Sequence, residues 1–273
     1  PEQIEHARQV RGVVPAHRGA SAAGGHGPRD VCEVPHFDAA GLACFRTAHL
    51  HPRAGVGFTA VIVVEADDAV HVGTHEAVVG RDARYRHISV TFGGSVVRTS
   101  ANVHYAGPGG EAELLGLYFA DAGQHFEHRL FVDHNAPRTK SNVVYKGALQ
   151  GEKARTVWIG NVLIRKVAEA IETYEENRNL VLTDGCQADS VPNLEIETGE
   201  IEGAGHASAT ARFDDEQLFY LRSRGVSDEE ARRLVLHGFF QDLIRKIGLP
   251  ELEEKLTAAV EDELARNVAG KVL

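Results

Sequence analysis

Hydrophobic and polar positions alternate over short segments through most of the chain, and a helical spacing replaces this alternation only near the end. From residue 56 onward, β-branched segments are separated by turn residues, the pattern that predicts short strands. Few helices are predicted between the strands, so a mainly β fold is expected. The ten segments are FTAVIVVEA, AVHVGTHEAVVG, YRHISVTFGG, SVVRTSANVHYAG, LLGLYFAD, HRLFVDH, SNVVYKGAL, TVWIGNVLI, NLVLTDG and PNLEIETGEI.

A Gly-x-x-Ala motif recurs between these strands, at residues 80–83, 109–112, 151–154 and 185–188. Glycine permits a tight corner, and alanine fits where stacked backbones crowd together. Small residues that recur at corners favour a β-solenoid of stacked parallel coils. A β-sandwich or a cupin-like barrel is the alternative that this pattern leaves open.

The last 60 or so residues carry helix signals. Asp214 and Ser227 are predicted N-caps, Gly225 and Gly248 are predicted C-terminal stops, and Pro250 is expected to open a third helix. Three helices of this length bury only a small core alone, so we expect them to pack on the β region, on a partner protein, or on both. The predicted apolar face of the second helix comprises Leu234, Leu236, Phe239, Phe240, Leu243, Ile244 and Ile247.

These patterns divide the chain into three regions. Residues 1–55 form an N-terminal segment that the sequence does not assign, and it includes the Gly-rich stretch HRGASAAGGHGPRD. Residues 56–212 are predicted to form a parallel β-helix core, and residues 213–273 a C-terminal helical domain.

Composition narrows the class of protein. The chain has 29 Lys and Arg against 39 Asp and Glu, a net charge of −10, which argues against a nucleic-acid partner. No apolar run is long enough to span a bilayer, and three cysteines are too few for a disulfide framework, so a cytoplasmic protein without membrane contact is expected. The chain begins with Pro1 and contains no methionine, so a truncated or processed chain is expected.

Fifteen histidines raise the possibility of a metal site, and the densest stretch is GQHFEHRLFVDH. There His125, Glu127 and His128 resemble the His and Glu ligands of a metal-dependent, cupin-like barrel enzyme. In a strand, however, His125 and His128 point to opposite faces, so the two cannot share a metal without a bulge. Further candidates are His71, His75 and His134.

Cys186 and His206 are a second pair, because they directly follow Gly185 and Gly205. If one solenoid coil takes roughly 20 residues, the thiol and the imidazole come side by side on one edge. Thiolate and imidazole suit iron–sulfur clusters and zinc. Spacing alone still favours purely structural roles for both residues. Elsewhere, the sequence contains no nucleophile motif and no phosphate-binding motif of the kind that an enzyme acting alone would need.

The longer motifs GLYFADAGQHFEHRLFVDHNAP, ADSVPNLEIE and DDEQLFYLRSRG closely resemble the SufD family of iron–sulfur cluster assembly proteins, within the SufB/SufD superfamily. The resemblance runs from roughly residue 60 to residue 265, and most of the family's N-terminal helical region has no counterpart. It implies a right-handed parallel β-helix followed by a helical C-terminal domain.

The same resemblance implies a non-catalytic scaffold subunit of the SufBCD complex. The C-terminal helices would dock on the ATPase SufC, and the β-helix edge would pair with SufB or with a second copy of the chain. No tightly bound cofactor is implied, only a transient iron–sulfur cluster or iron at the subunit interface.

The resemblance also points to individual residues. His206 matches the functional histidine of the family, and Cys186 lies where SufB carries its key cysteine. Two positions depart from the patterns of relatives, because Ala204 replaces a cysteine of some SufD chains and Ala207 replaces a glutamate of SufB. A purely architectural subunit that binds no iron is therefore a third possibility.

Overall fold

The computed structural model describes residues 42–48, 57–64, 70–248, 253–254 and 256–261. This part of the chain holds twelve strands followed by helices. The strands are β1 (Leu42–Ala48), β2 (Gly57–Val64), β3 (Val70–Val79), β4 (Arg84–Thr91), β5 (Val96–Tyr105), β6 (Glu111–Ala120), β7 (His125–His134), β8 (Lys140–Leu149), β9 (Arg155–Ile164), β10 (Glu172–Val181), β11 (Gln187–Ile196) and β12 (Gly203–Arg212). The helices are α1 (Asp215–Ser223) and α2 (Asp228–Ile247), with further helical residues at 253–254 and 256–261.

The strands form two open, six-stranded sheets in which every pairing is parallel. Sheet A has the order β1-β3-β5-β7-β9-β11, and sheet B has the order β12-β10-β8-β6-β4-β2. Successive strands therefore alternate between the sheets, and each pair of strands makes one coil of a solenoid. The predicted parallel β-helix is confirmed, and the sandwich and barrel alternatives are wrong because neither sheet is antiparallel or closed.

The length of a coil follows from the strand register. In sheet A, Val70 of β3 pairs with Val96 of β5, and Arg155 of β9 pairs with Gln187 of β11. The second pair is separated by more residues of the chain than the first pair. The coils of sheet A lengthen from β3 to β11 because the corners between the strands grow. Cys186 and His206 are closer in sequence than any two paired residues of the sheets, so their separation does not bring them into register.

The predicted corners occur where the Gly-x-x-Ala motifs lie. Gly151 and Gly185 adopt positive φ values of 81° and 80°, a conformation that residues with a Cβ rarely adopt. The alanines at 83, 112 and 154 are buried against neighbouring coils. These small residues let the chain turn while adjacent coils remain closely stacked.

Strands β6 and β8 are apolar on both faces because two different cores cover them. In β6, the inward residues Leu114 and Tyr118 join the solenoid core, whereas the outward residues Leu115, Leu117 and Phe119 contact the C-terminal helices. A strand buried on both faces is a continuous apolar run rather than an alternating one. The segment LLGLYFAD has this composition for that reason.

Helix α2 packs across the outer face of sheet B. Ser227 caps its N-terminus and accepts a hydrogen bond from the Glu230 backbone N–H, and Gly248 ends it in the left-handed conformation. Helix α1 begins after Asp214, whose side chain accepts a hydrogen bond from the Glu216 backbone N–H. The buried part of the predicted apolar face of α2 comprises Leu236, Phe240, Leu243, Ile244 and Ile247.

One strand of the solenoid lies outside the limits that the sequence predicts for the β-helix core. Strand β1 lies inside the segment 1–55, for which the sequence made no assignment, and its register with β3 adds it to sheet A. The rest of that segment lies outside the described residues. Within the described residues, no helix combines the length and the apolar character that crossing a bilayer requires.

We predict that Phe240→Ala lowers the free energy of unfolding by about 3–5 kcal/mol, because it leaves a cavity between α2 and sheet B. Phe240 is fully buried, whereas Phe219 on α1 is 67 % exposed and supplies a matched control. Phe219→Ala is expected to change stability by less than about 0.5 kcal/mol. Urea denaturation of both variants measures the difference, and equal losses would contradict this account of the interface.

Candidate functional site at the open end of the solenoid

Strands β11 and β12 are the last strands of their sheets, so the solenoid ends with them. Within the described residues, no further strand pairs with their outer edges. Inward-facing residues of this last coil are therefore half-buried or exposed, in contrast to the same positions one coil earlier. Ser190 and Pro192 on β11 and His206 on β12 belong to this exposed inner surface. We call it the open end.

His206 is the last member of a column of side chains that runs through the solenoid. Strand register aligns His87 with Leu114, Leu114 with Val143, Val143 with Glu175, and Glu175 with His206. Parallel strands in register place such residues about 4.8 Å apart along the stack. Two apolar residues, Leu114 and Val143, thus separate the buried His87 from the last two members, which are again ionisable.

Glu175 is a buried carboxylate without a normal hydrogen-bond partner. Its side chain is 1 % exposed, and neither carboxylate oxygen makes a hydrogen bond of good geometry. Burial raises the pKa of Glu175 to about 7, and the backbone N–H of Asn193 offsets this only in part. Gly160 leaves the space for the carboxylate, because a Cβ there would collide with Glu175 Oε2.

Several polar side chains near this end bond to one another and leave Glu175 out. Tyr118 donates a hydrogen bond to Asn179 Oδ1 at 2.6 Å, and Asn177 donates to the Tyr118 hydroxyl at 2.9 Å. Ser190 donates to Asn177 Oδ1 at 2.6 Å. The inward polar residues of β10 thus form a closed network that leaves Glu175 out.

His206 lies directly above Glu175, and 43 % of its side chain is exposed. Its Nδ1 is 3.9 Å from Glu175 Oε1, which is close enough for electrostatic attraction but too long for a hydrogen bond. An imidazole nitrogen and a carboxylate oxygen at this separation are able to exchange a proton through a water molecule or to share a cation. Of the two side chains only His206 faces the solvent at the open end, and Glu175 lies buried beneath it.

Cys186 is not part of this pair. Its thiol lies at the corner before β11, where it donates to the Gly151 carbonyl oxygen at 3.3 Å. Arg212, at the end of β12, reaches the same corner through a 2.6 Å ion pair with Asp184. His206 precedes Arg212 on this strand by about 20 Å of extended chain. The structure therefore does not bring Cys186 and His206 together, and their roles as ligands stay predictions.

The histidine-rich stretch does not assemble a metal site. His128 faces the solenoid core, where it is 1 % exposed, bonded to the Thr99 hydroxyl at 2.9 Å and stacked on Tyr118. Burial lowers the pKa of His128 to about 3. Glu127 lies on the opposite face and pairs with Arg129. Among the described residues, no group of three His, Cys, Asp or Glu side chains is arranged to hold a metal ion.

Sequence reasoning missed Glu175 because strand β10 is largely polar and only its end, NLVLTDG, was recognised. The available signal was the alternation in ETYEENRNLV, in which Thr173, Glu175, Asn177 and Asn179 share one phase. Those four residues all point inward and are buried.

The fold and the open end together define a class of protein: a parallel β-solenoid whose last coil is uncovered and whose helices pack on one sheet. The family described as "SUF system FeS cluster assembly, SufBD core domain" matches residues 42–239. The chain belongs to this family, and its assignment to the SufB/SufD superfamily is confirmed.

Curated relatives agree with this assignment. The chain is 64 % identical, over 213 residues, to an iron–sulfur cluster assembly SufBD family protein of Mycobacterium bovis, covering 76 % of this chain and 54 % of the relative. It is 24 % identical to the iron–sulfur cluster assembly protein SufD of Escherichia coli over 194 residues, covering 71 % of this chain and 45 % of that protein. SufD of Bacillus subtilis is also 24 % identical, over 211 residues that cover 77 % of this chain and 47 % of that protein. The chain spans about half the length of these curated relatives.

We predict that Glu175→Gln stabilises the chain increasingly as the pH rises. At low pH the Glu175 carboxyl is protonated whether the chain is folded or unfolded, so its burial does not lower the free energy of unfolding. Because its folded pKa is raised to about 7, the unfolded chain loses the proton first, and stability falls as the pH rises to that value. The full cost above pH 7 is roughly 3 kcal/mol.

Unfolding free energies of wild type and Glu175→Gln, measured between about pH 5 and pH 8, give the difference directly. Glu176→Gln is the matched control, since Glu176 faces outward on the same strand and pairs with Arg178. A difference for Glu175→Gln that stays constant over this range would contradict the prediction.

Proposed function

We propose that the chain is a non-catalytic scaffold subunit of a SufBCD-type iron–sulfur cluster assembly complex in the cytoplasm. The observation that carries the proposal is the exposed His206 at the open end of a SufBD-family solenoid. Relatives named as iron–sulfur cluster assembly proteins support the same process. The cluster, or the iron for it, is cargo held transiently at a subunit interface, with His206 as a ligand. Cys186 lies at the other end of the coil, so any ligand role of Cys186 requires a separate contact with the cargo.

The open end is the surface that we propose pairs with SufB or with a second copy of the chain. Strands β11 and β12 end their sheets, and an unpaired edge offers backbone hydrogen-bond groups to another chain. Val191 and Ile196 on β11 are 44 % and 46 % exposed, so a partner would also bury apolar surface. Pro192 lies within β11, where a residue without an N–H group is tolerated on an edge strand.

The helices are the surface that we propose docks on SufC. Phe219 and Tyr220 on α1 are 67 % and 56 % exposed, and Leu234 on α2 is 47 % exposed. Tyr220, Leu221 and Val235 line a shallow groove beside them. Large exposed apolar side chains next to a groove are typical of a protein interface. Because α2 uses its other face to pack on sheet B, this surface is available to a partner.

A scaffold accounts for the described residues better than an enzyme does. The barrel enzyme with His125, Glu127 and His128 is excluded by the solenoid and by the burial of His128. A purely architectural subunit without iron is the remaining alternative, and the role of His206 decides between the two.

We predict that His206→Ala slows cluster formation at least tenfold when the chain is reconstituted with SufB, SufC, iron and a sulfide source. The reason is the loss of a ligand at the interface, since the exposed imidazole contributes little to folding. Absorbance of the assembled cluster and bound iron and sulfide are the measurements. His125→Ala is the control, because His125 is half-buried and lies on β7 of sheet A, outside the last coil. Normal assembly by His206→Ala would favour the architectural alternative.

We also predict that the double substitution Phe219→Asp and Tyr220→Asp weakens SufC binding at least tenfold, because it places charge on an apolar contact surface. Calorimetry of SufC binding measures the effect, and the melting temperature should stay within about 2 °C of wild type. Val167→Asp, at a 62 % exposed corner position of the solenoid, controls for added charge. Unchanged SufC affinity in the double variant would refute this docking surface.

A further inference from the structure

We infer that Glu175 and His206 form half of a binding site for a divalent transition-metal ion, whose remaining ligands come from the molecule that covers the open end. The inference deepens the proposed function and rests on it for the identity of that molecule, the pairing subunit. It adds a carboxylate, Glu175, that the sequence did not indicate as a ligand.

The first argument is the environment of Glu175. Its side chain is 1 % exposed, and neither carboxylate oxygen makes a hydrogen bond of good geometry, although the Asn193 backbone N–H lies near. Such weak compensation is costly for a buried carboxylate. Among ion pairs of the described residues, Glu175 takes part in one alone, the long contact with His206. Its neighbours Asn177, Asn179 and Ser190 bond to one another instead. The carboxylate thus receives little compensation from the described protein groups, and His206 is its one ion-pair neighbour among them.

The second argument is the distance between the two side chains. Two ligand atoms that each lie about 2.1 Å from one metal ion are about 3.0–3.4 Å apart in octahedral or tetrahedral geometry. Glu175 Oε1 and His206 Nδ1 are 3.9 Å apart, so a shift of about 0.5 Å brings them to ligand distance. Since 43 % of the His206 side chain is exposed, a small rotation of the ring meets little resistance.

The third argument is the chemistry of the pair and its place in the fold. Imidazole nitrogen with carboxylate oxygen suits ferrous iron, cobalt, manganese and zinc, whereas magnesium and calcium prefer oxygen ligands alone. Two protein ligands leave coordination positions free, and because His206 is the exposed member of the pair, the remaining ligands would come from the subunit that covers it. Cys186 cannot fill one of them from within this chain, because it lies at the far end of the coil.

Gly160 supports this assignment from the opposite sheet. A Cβ at residue 160 would collide with Glu175 Oε2 and with the Trp158 ring. Glycine at this point therefore lets the carboxylate lie beside the indole, at the inner wall just below the open end. Packing against this position therefore contributes more to holding the carboxylate than hydrogen bonds of good geometry do.

Cobalt(II) is a suitable probe because its visible absorption reports nitrogen and oxygen ligation without cluster chemistry. The full chain, alone and assembled with SufB and SufC, is titrated with Co²⁺ as wild type, Glu175→Gln, His206→Ala and Glu176→Gln. We expect one Co²⁺ site per assembled chain. The affinity for Co²⁺ should fall at least about tenfold in Glu175→Gln and in His206→Ala, and it should not change in Glu176→Gln. Bound Co²⁺ should also raise the melting temperature of wild type but not that of Glu175→Gln.

The outcomes separate this inference from the proposed function. Equal Co²⁺ affinity of wild type and Glu175→Gln, or no Co²⁺ site in the assembled wild type, overturns the inference. The proposed function stands in that case if His206→Ala still slows cluster assembly. Weakened Co²⁺ binding by Glu175→Gln with normal assembly by His206→Ala would support the metal site and reject the role of His206 in assembly. Because glutamine has the shape of glutamate, a folding defect does not confuse the comparison.

Discussion

The parallel register of successive coils is the constraint on which the rest of the structure depends. It fixes each inward side chain above its counterpart in the previous coil, so one column passes from Leu114 through Val143 to Glu175 and His206. In the middle of the solenoid, coils on both sides desolvate each position, and apolar side chains or a histidine such as His87, whose pKa burial lowers to about 3, fill it. At the last coil one side is open, so His206 is exposed there. The accessible half of the candidate site therefore exists because the stack ends.

The same register gives sheet B an outer surface that recruits the helices. Besides the apolar contacts of α2, Lys146 donates to the Phe239 carbonyl oxygen at 2.8 Å and forms an ion pair with Asp242. Arg86 donates to the Lys246 carbonyl oxygen at 2.7 Å, at the C-terminus of the helix, where a positive charge is favourable. Two cationic side chains from β4 and β8 thus fix the position of α2. Helix α1 has no comparable anchoring among these contacts, which agrees with its exposed aromatic residues.

Much of the fold was predictable because buried strand positions are apolar and alternate with polar, exposed positions along the sequence. Most segments from β2 to β9 carried that alternation, the doubly buried β6 and β8 carried longer apolar runs, and the caps Asp214, Ser227 and Gly248 marked the helices. The site was less predictable because the length of a coil depends on how many residues its corners contain. That number does not follow from the patterns of the strands. Spacing alone therefore paired Cys186 with His206 wrongly, and the polar strand β10 concealed Glu175. His206 itself was identified through resemblance, because a single histidine among small residues carries little physical signal.

An open coil end creates an electrostatic requirement on whatever covers it. Terminal coils of repeat proteins need a cap, and a partner that caps β11 and β12 removes water from His206 and further desolvates Glu175. That loss of solvent makes an ionised Glu175 still more costly, so a neutral cap would destabilise the ionised carboxylate. A cap that brings a positive charge, or that encloses a metal cation together with its own ligands, compensates for this cost. The buried carboxylate thus makes pairing of the subunits and binding of a cation mutually favourable, and each is expected to strengthen the other by the same factor.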